Sequence, residues 1–196
     1  YIRLNYDKGI TFHRIAPVAV GTQYHENTGE LVRITTTGNV GIGTTTPTAK
    51  LHVVGNAIIT GTLTTQTGSD FAEEFITSEK LEPGTVVIMG DQGYKSVKPC
   101  QKEYDQQVVG VVSDNPSIIA GQVDSENKAV VAMMGVVTVK ACDQNGSIKK
   151  GDLLTSSNIT GYAMRAKKFK EGTIIGKALE DLNTQTGEIK VLINLQ

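Results

Sequence analysis

Two stretches of the chain read alike. The first runs Pro83-Gly84-Thr85-Val86-Val87, then Gly93-Tyr94-Lys95, then Val108-Val109-Gly110-Val111-Val112-Ser113-Asp114. The second runs Lys150-Gly151-Asp152-Leu153-Leu154, then Gly161-Tyr162-Ala163, then Ile174-Ile175-Gly176-Lys177-Ala178-Leu179-Glu180-Asp181. Each reads as turn, strand, Gly-Tyr turn, strand, polar loop, and a strand with an internal glycine. A further apolar strand follows each, at residues 129–134 and 189–193. Glycine inside a strand marks a bulge or a close backbone approach. Two such halves predict a small β-barrel or sandwich.

Composition agrees. The 196 residues carry a net charge of −1, only 5% aromatics, no Trp and 21 glycines, and the apolar set is dominated by β-branched residues. That suits an all-β protein with many turns. Mixed charge argues against nucleic-acid partners. No apolar run approaches the length of a membrane helix, so membrane insertion is not expected. The chain opens on Tyr1 rather than Met, which reads as a fragment or a processed product. Cys100 and Cys142 read as isolated thiols, with one disulfide as the alternative. Helix is scarce, with residues 70–80 the one place for a short helical turn.

Outward from the duplication, composition shifts near Gly68. Residues 1–68 are rich in Thr, Gly and Asn and hold all three histidines, His13, His25 and His52. Short alternating strands are expected at residues 1–4, 31–35 and 50–53, separated by turn signals. So few large apolar residues cannot close a core in one chain. Three chains sharing a thin interior would close it. The uncharged segment 55–65 would aggregate as an isolated strand, and wrapping by two neighbours removes its open edge. The expected architecture is therefore a thin trimeric β shaft, like a β-prism or triple β-helix, over 1–68. A C-terminal β tip follows over 69–196.

Asp70, Glu73 and Glu74 place three carboxylates within five residues beside Ser69. Crowded like charges raise some pKa values, which suits acid and base roles. The bland alternative is an acidic, solvated turn. The three histidines could bind a metal on a three-fold axis, one from each chain, but in Leu51-His52-Val53 His52 points opposite to its aliphatic neighbours, so a solvent- or groove-facing histidine is expected. The basic run Arg165-Ala166-Lys167-Lys168-Phe169-Lys170 reads as a solvated loop, with contact to an anionic glycan or lipid as the alternative. Hydrolase, zinc-protease and nucleotide-binding fingerprints are absent, and no metal or cofactor is expected.

The run Gly38-Asn39-Val40-Gly41-Ile42-Gly43-Thr44, continuing to Val53, resembles a segment common in phage tail fibres and related trimeric surface fibres. It often stands before a C-terminal tip or chaperone domain. Two further pieces, Gly68-Ser69-Asp70-Phe71-Ala72-Glu73 and residues 109–119, resemble motifs of the self-cleaving C-terminal domains of phage appendage proteins, the G2 peptidase group. Phe71 stands where that group more usually has Tyr. The resemblance implies an extracellular homotrimer on a virion or cell surface, with a glycan or protein receptor. The tip would drive trimerisation, cap the shaft and contact the target. It also implies the alternative: an intramolecular chaperone that cuts its own Ser69–Asp70 bond, with Ser69, Asp70 and Glu73 as catalytic residues.

Overall fold

The computed structural model describes residues 2–13 and 29–195. These residues contain strands and turns and no helix. The chain divides into two compact units, Tyr1–Leu63 and Thr64–Gln196.

The first unit is a five-stranded sheet in sequential order: β1 (Ile2–Asn5), β2 (Gly9–His13), β3 (Glu30–Ile34), β4 (Val40–Ile42) and β5 (Leu51–Val53). Neighbours are antiparallel except β4 and β5, which run parallel. Gly41 lies within β4, where a side chain would meet the Thr44 carbonyl oxygen at 2.6 Å, so the position demands glycine. None of the apolar side chains described in this unit is buried. Leu4 is 78% exposed and Leu51 62%.

The second unit holds β6 (Asp70–Ile76), β7 (Val86–Met89), β8 (Val97–Pro99), β9 (Val108–Val112), β10 (Ile118–Ala120), β11 (Lys128–Cys142), β12 (Leu153–Ser156), β13 (Ala163–Arg165), β14 (Ile174–Ala178) and β15 (Thr186–Asn194). Residues 70–76, where the sequence left room for a helical turn, form β6. Its burial alternates with period two, and β11 supplies the hydrogen-bonding partner.

The duplication is present, and each half closes its own ring. In the second, the C-terminal part of β11 pairs with β15, β15 with β14, β14 with β12 and β12 with β13. β13 returns to β11 in parallel through Ala141↔Ala163. In the first, β6 pairs with the N-terminal part of β11, then β9, β7 and β8 follow. The parallel bridge Ile76↔Ser96 closes it.

The correspondence reaches single hydrogen bonds. Gly84 N–H donates to the Val112 carbonyl and Gly151 N–H to that of Ala178, each at 2.8 Å. Ser113 N–H donates to Val130, and Leu179 N–H to Lys190. The register slips at the same step in both rings, between Val87 and Ile88 and between Leu154 and Thr155. The two Gly-Tyr pairs, however, are not equivalent. The hydrogen bonds Gly90 N–H to Ser96 O and Ser157 N–H to Tyr162 O align Tyr162 with Ser96.

Each ring encloses its own core. Phe75, Val87, Val97, Val112, Ala129 and Val131 fill the first. Val137, Val139, Leu154, Ile175, Ile189 and Val191 lie in the second cluster, which also takes in Val86, Val111 and Ala132 from the other face of the first ring's strands. β11 serves both rings because of a bulge between Ala132 and Met134. One extra residue switches the faces of a strand. Ala129 and Val131 thus face one core while Val137 and Val139 face the other.

The internal glycines of β9 and β14 stand at close approaches. A methyl on Gly110 would sit 2.3 Å from the Ala132 carbonyl oxygen, and one on Gly176 would sit 2.2 Å from that of Leu192. Neither oxygen can retreat without breaking its ladder. Gly110→Ala and Gly176→Ala are each expected to cost about 1–3 kcal/mol, the range for overpacked cores. Urea unfolding of the two variants checks this. An unchanged midpoint for either would mean that the rings are not built alike.

Candidate functional site

The two motif pieces noted in the sequence meet at the start of β6. Gly68 has φ +83° and lies flat on the second piece, where a side chain would meet Pro116 and Ser117 backbone atoms at 2.5 Å. Ser117 N–H donates to the Asp70 carbonyl at 2.9 Å, and β10 runs parallel to β6 from Ile118↔Phe71 onward. From the other side comes Gly135. A methyl there would sit 2.3 Å from the Ser69 carbonyl oxygen. Val136 N–H donates to that oxygen at 3.2 Å. The Ser69–Asp70 peptide is thus held between the Pro116–Ser117 turn and the β11 bulge.

Alternation along β6 separates the acids. Asp70, Ala72 and Glu74 are buried, while Phe71 is exposed and Glu73 half-buried. Asp70 is 3% exposed. Its Oδ1 accepts from Ser113 Oγ at 3.2 Å, and its Oδ2 has no hydrogen-bond partner among the described residues. Burial pushes this carboxyl above its ordinary range, the Ser113 hydrogen bond pulls it back, and the Asp114 charge adds to the rise.

Glu74 behaves in the opposite way. Lys128 Nζ lies 2.9 Å from its Oε1, and Val123 N–H donates to Oε2 at 3.0 Å. The Lys128 hydrogen bond, aided by that of Val123, holds Glu74 below the usual carboxylate range against the effect of burial. Glu73 pairs with Lys95 at 2.9 Å on the other face of the strand. The crowding read from the sequence therefore does not raise the Asp70 and Glu74 pKa values together, because the two carboxyls meet different partners. Ser69 itself is exposed. Ser113, Lys95 and Lys128 are the partners the sequence reading missed. Ser113 lies inside the quoted 109–119 stretch, so that signal was present.

The remaining candidates lie elsewhere. His13 Nε2 is 2.9 Å from Thr11 Oγ1, and His52 Nδ1 accepts from Thr48 N–H at 3.3 Å. His25 lies outside the described residues. Among the described residues no three His, Cys, Asp or Glu side chains gather as a metal site. Cys100 and Cys142 are buried free thiols, and burial pushes Cys100 up to about 11.

Fold and junction together define an all-β domain of two fused five-stranded rings, entered through a buried-acid junction. No family model and no curated protein matches the sequence. Among solved structures, the pre-mature form of gene product 12 of bacteriophage phi29 shares the fold. It is 15% identical over 72% of this chain and 24% of that protein, with a TM-score of 0.50. A C-terminal fragment of the same phage protein aligns over 64% of this chain and all of the fragment, at 16% identity and a TM-score of 0.45. The chain therefore spans about a quarter of the length of the longer phage structure.

The raised Asp70 carboxyl fixes the sign of a pH effect. The folded state holds this proton more tightly than the unfolded chain. Its contribution to stability is complete below the unfolded pKa and is lost as pH rises through the folded one. Asp70→Asn should therefore raise the urea midpoint of the uncleaved tip at neutral pH. The advantage should shrink on acidification toward the ordinary carboxylate range. An equal gain at both pH values would mean that charge burial is not the cause.

Proposed function

We propose that the chain is the C-terminal end of a homotrimeric extracellular fibre. Its first region forms the shaft with two other copies, and its tip caps the shaft and contacts a target surface. The carrying observation is the bare first unit. Ile2, Leu4, Leu31, Ile42 and Leu51 remain exposed, and further on Ile58 and Leu63 do as well. Burying one such side chain stabilises by about 1.5–3 kcal/mol, so a sheet whose described apolar side chains are at best partly buried lacks much of the driving force for folding alone. Identical neighbours supply it with the same apolar pattern three times. The fold shared with a bacteriophage protein supports a place on a virion appendage, although fold alone does not carry function.

Self-cleavage at Ser69–Asp70 is a second reading, favoured by one geometry. The carbonyl of that peptide already accepts the Val136 N–H, where a tetrahedral oxyanion would need a donor. The buried Asp70 carboxyl, with one oxygen unpartnered, begins the other side of the same bond. Hydrolysis would consume one water and leave a Ser69 carboxylate and an Asp70 amine. The phage protein of the same fold is described as pre-mature, which is in keeping with a processed appendage.

Native mass spectrometry of the chain with its upstream shaft tests both readings. Three intact chains support the fibre end without cleavage. A trimer ending at Ser69, with a fragment starting at Asp70, supports processing, and Ser69→Ala should then block it. A monomer would sink the trimeric reading. Leu4→Asp with Leu51→Asp should convert the trimer to monomers while leaving the tip's thermal transition in place, as read by calorimetry.

A further inference from the structure

β13 ends in Arg165, and the loop after it carries Lys167, Lys168 and Lys170 around an exposed Phe169. It is built upon Tyr104, whose φ of +49° makes it the one non-glycine residue with positive φ among those described. The Tyr104 hydroxyl accepts from Lys167 N–H at 2.9 Å and from Asn145 Nδ2 at 3.4 Å. Lys168 Nζ sits 5.5 Å from the Tyr104 ring centroid, and Lys170 Nζ donates to the Tyr104 carbonyl at 3.4 Å. Asn145 and Arg165 exchange hydrogen bonds, each at 3.0 Å. The loop is therefore organised, at the cost of a strained tyrosine. Strain of this kind persists where the surrounding structure imposes it and clusters at binding sites.

Its charge is left open. Lys95, Lys98, Lys128 and Lys149 each hold a carboxylate. Neither Arg165 nor any of the three loop lysines forms an ion pair among the described residues. The nearby Glu103 carboxylate is occupied by the amides of Gln144 and Asn158. One rim thus brings together uncompensated cations, two aromatic rings and the amides of Gln144, Asn145 and Asn158.

We propose that this surface binds an anionic polysaccharide, a chain bearing phosphate, sulfate or carboxylate groups. Cations meet the acidic groups, and the exposed Phe169 ring packs on a sugar face. The two lysine heads drawn back onto Tyr104 favour a glycan over a lipid surface. Membrane docking scales with inserted apolar area, and Phe169 alone projects. The inference deepens the target-contact role proposed above and rests on it. In a trimer three such patches would act together, and avidity would multiply a weak single contact.

The test is calorimetric titration of the full chain with a heparin-derived octasaccharide, and with a neutral dextran oligosaccharide of equal length. Binding of the first and not the second is expected, weakening as salt rises. Lys168→Glu with Lys170→Glu should weaken it by roughly tenfold or more, as two lost ionic contacts would. Tyr104→Gly accepts the same backbone and removes the ring. It should weaken binding, and Tyr104→Phe, which keeps the ring and loses only the hydroxyl contacts to Lys167 and Asn145, should weaken it less. Absence of binding overturns the proposal, and so does an equal loss in the distant Lys80→Glu variant. Binding to phosphatidylglycerol-containing vesicles that Phe169→Asp abolishes, with no glycan binding, would transfer the site to membranes and overturn it too. A monomer that still binds the octasaccharide through this loop would defeat the trimeric fibre and leave the glycan site standing.

Discussion

The bulge in β11 is the constraint on which the tip depends. A strand has two faces, and its side chains alternate between them. β11 must serve one core with Ala129 and Val131 and another with Val137 and Val139. With an even register those four residues would share one face, and one core would be lost. The single extra residue between Ala132 and Met134 resolves this. It also brings Gly135 against Ser69, so the device that joins the two rings grips the entering chain as well.

The two units meet the hydrophobic requirement in different ways. Closing a sheet into a ring removes edges and surrounds a core with its own backbone, which the tip does twice. The first unit stays an open sheet. Its β1 and β5 edges lack partners among the described residues, and apolar side chains such as Ile2, Leu4, Leu31 and Leu51 are exposed. The same β-branched, glycine-rich alphabet thus gives a self-contained domain where the chain is duplicated. Where it is not, the alphabet gives an open sheet with exposed apolar side chains such as Leu4 and Leu51.

Much of the tip was legible because duplication prints itself twice. The glycines at 84 and 151, and at 110 and 176, stand at matching steps, and the matching hydrogen bonds follow them. The Gly-Tyr pairs misled. Two residues agreeing in a turn carry little information, and the hydrogen bonds set Tyr162 against Ser96 instead. The closure of each half into its own ring was not legible, since it rests on pairings across long separations, Ala141↔Ala163 and Ile76↔Ser96. At the junction, the acidic cluster was visible as composition. Its division into a buried Asp70, a paired Glu74 and an opposite-facing Glu73 needed the strand that residues 70–76 form.

That division gains meaning from comparing the two rings. The register Val131↔Glu73 in the first corresponds to Val191↔Val137 in the second, so Glu73 occupies the place of an apolar core residue. Its partner Lys95 leans over Phe75, with Nζ 5.9 Å from the ring centroid, and donates to the Gly121 carbonyl. Replacing a core valine by an ion pair is costly unless the charges are satisfied, and as a pair they often add little net stability. The first ring carries that substitution, the extra strand β10 and the buried Asp70. The second also buries polar residues, Thr155, Ser156, Ser157 and Thr173, but each is neutral and hydrogen-bonded to a backbone carbonyl. Copies of one unit under the same folding demands would be expected to hold the same residue types inside. The first ring departs from this by holding the charged Glu73–Lys95 pair where the second holds Val137, on the same strand that carries the Ser69–Asp70 junction.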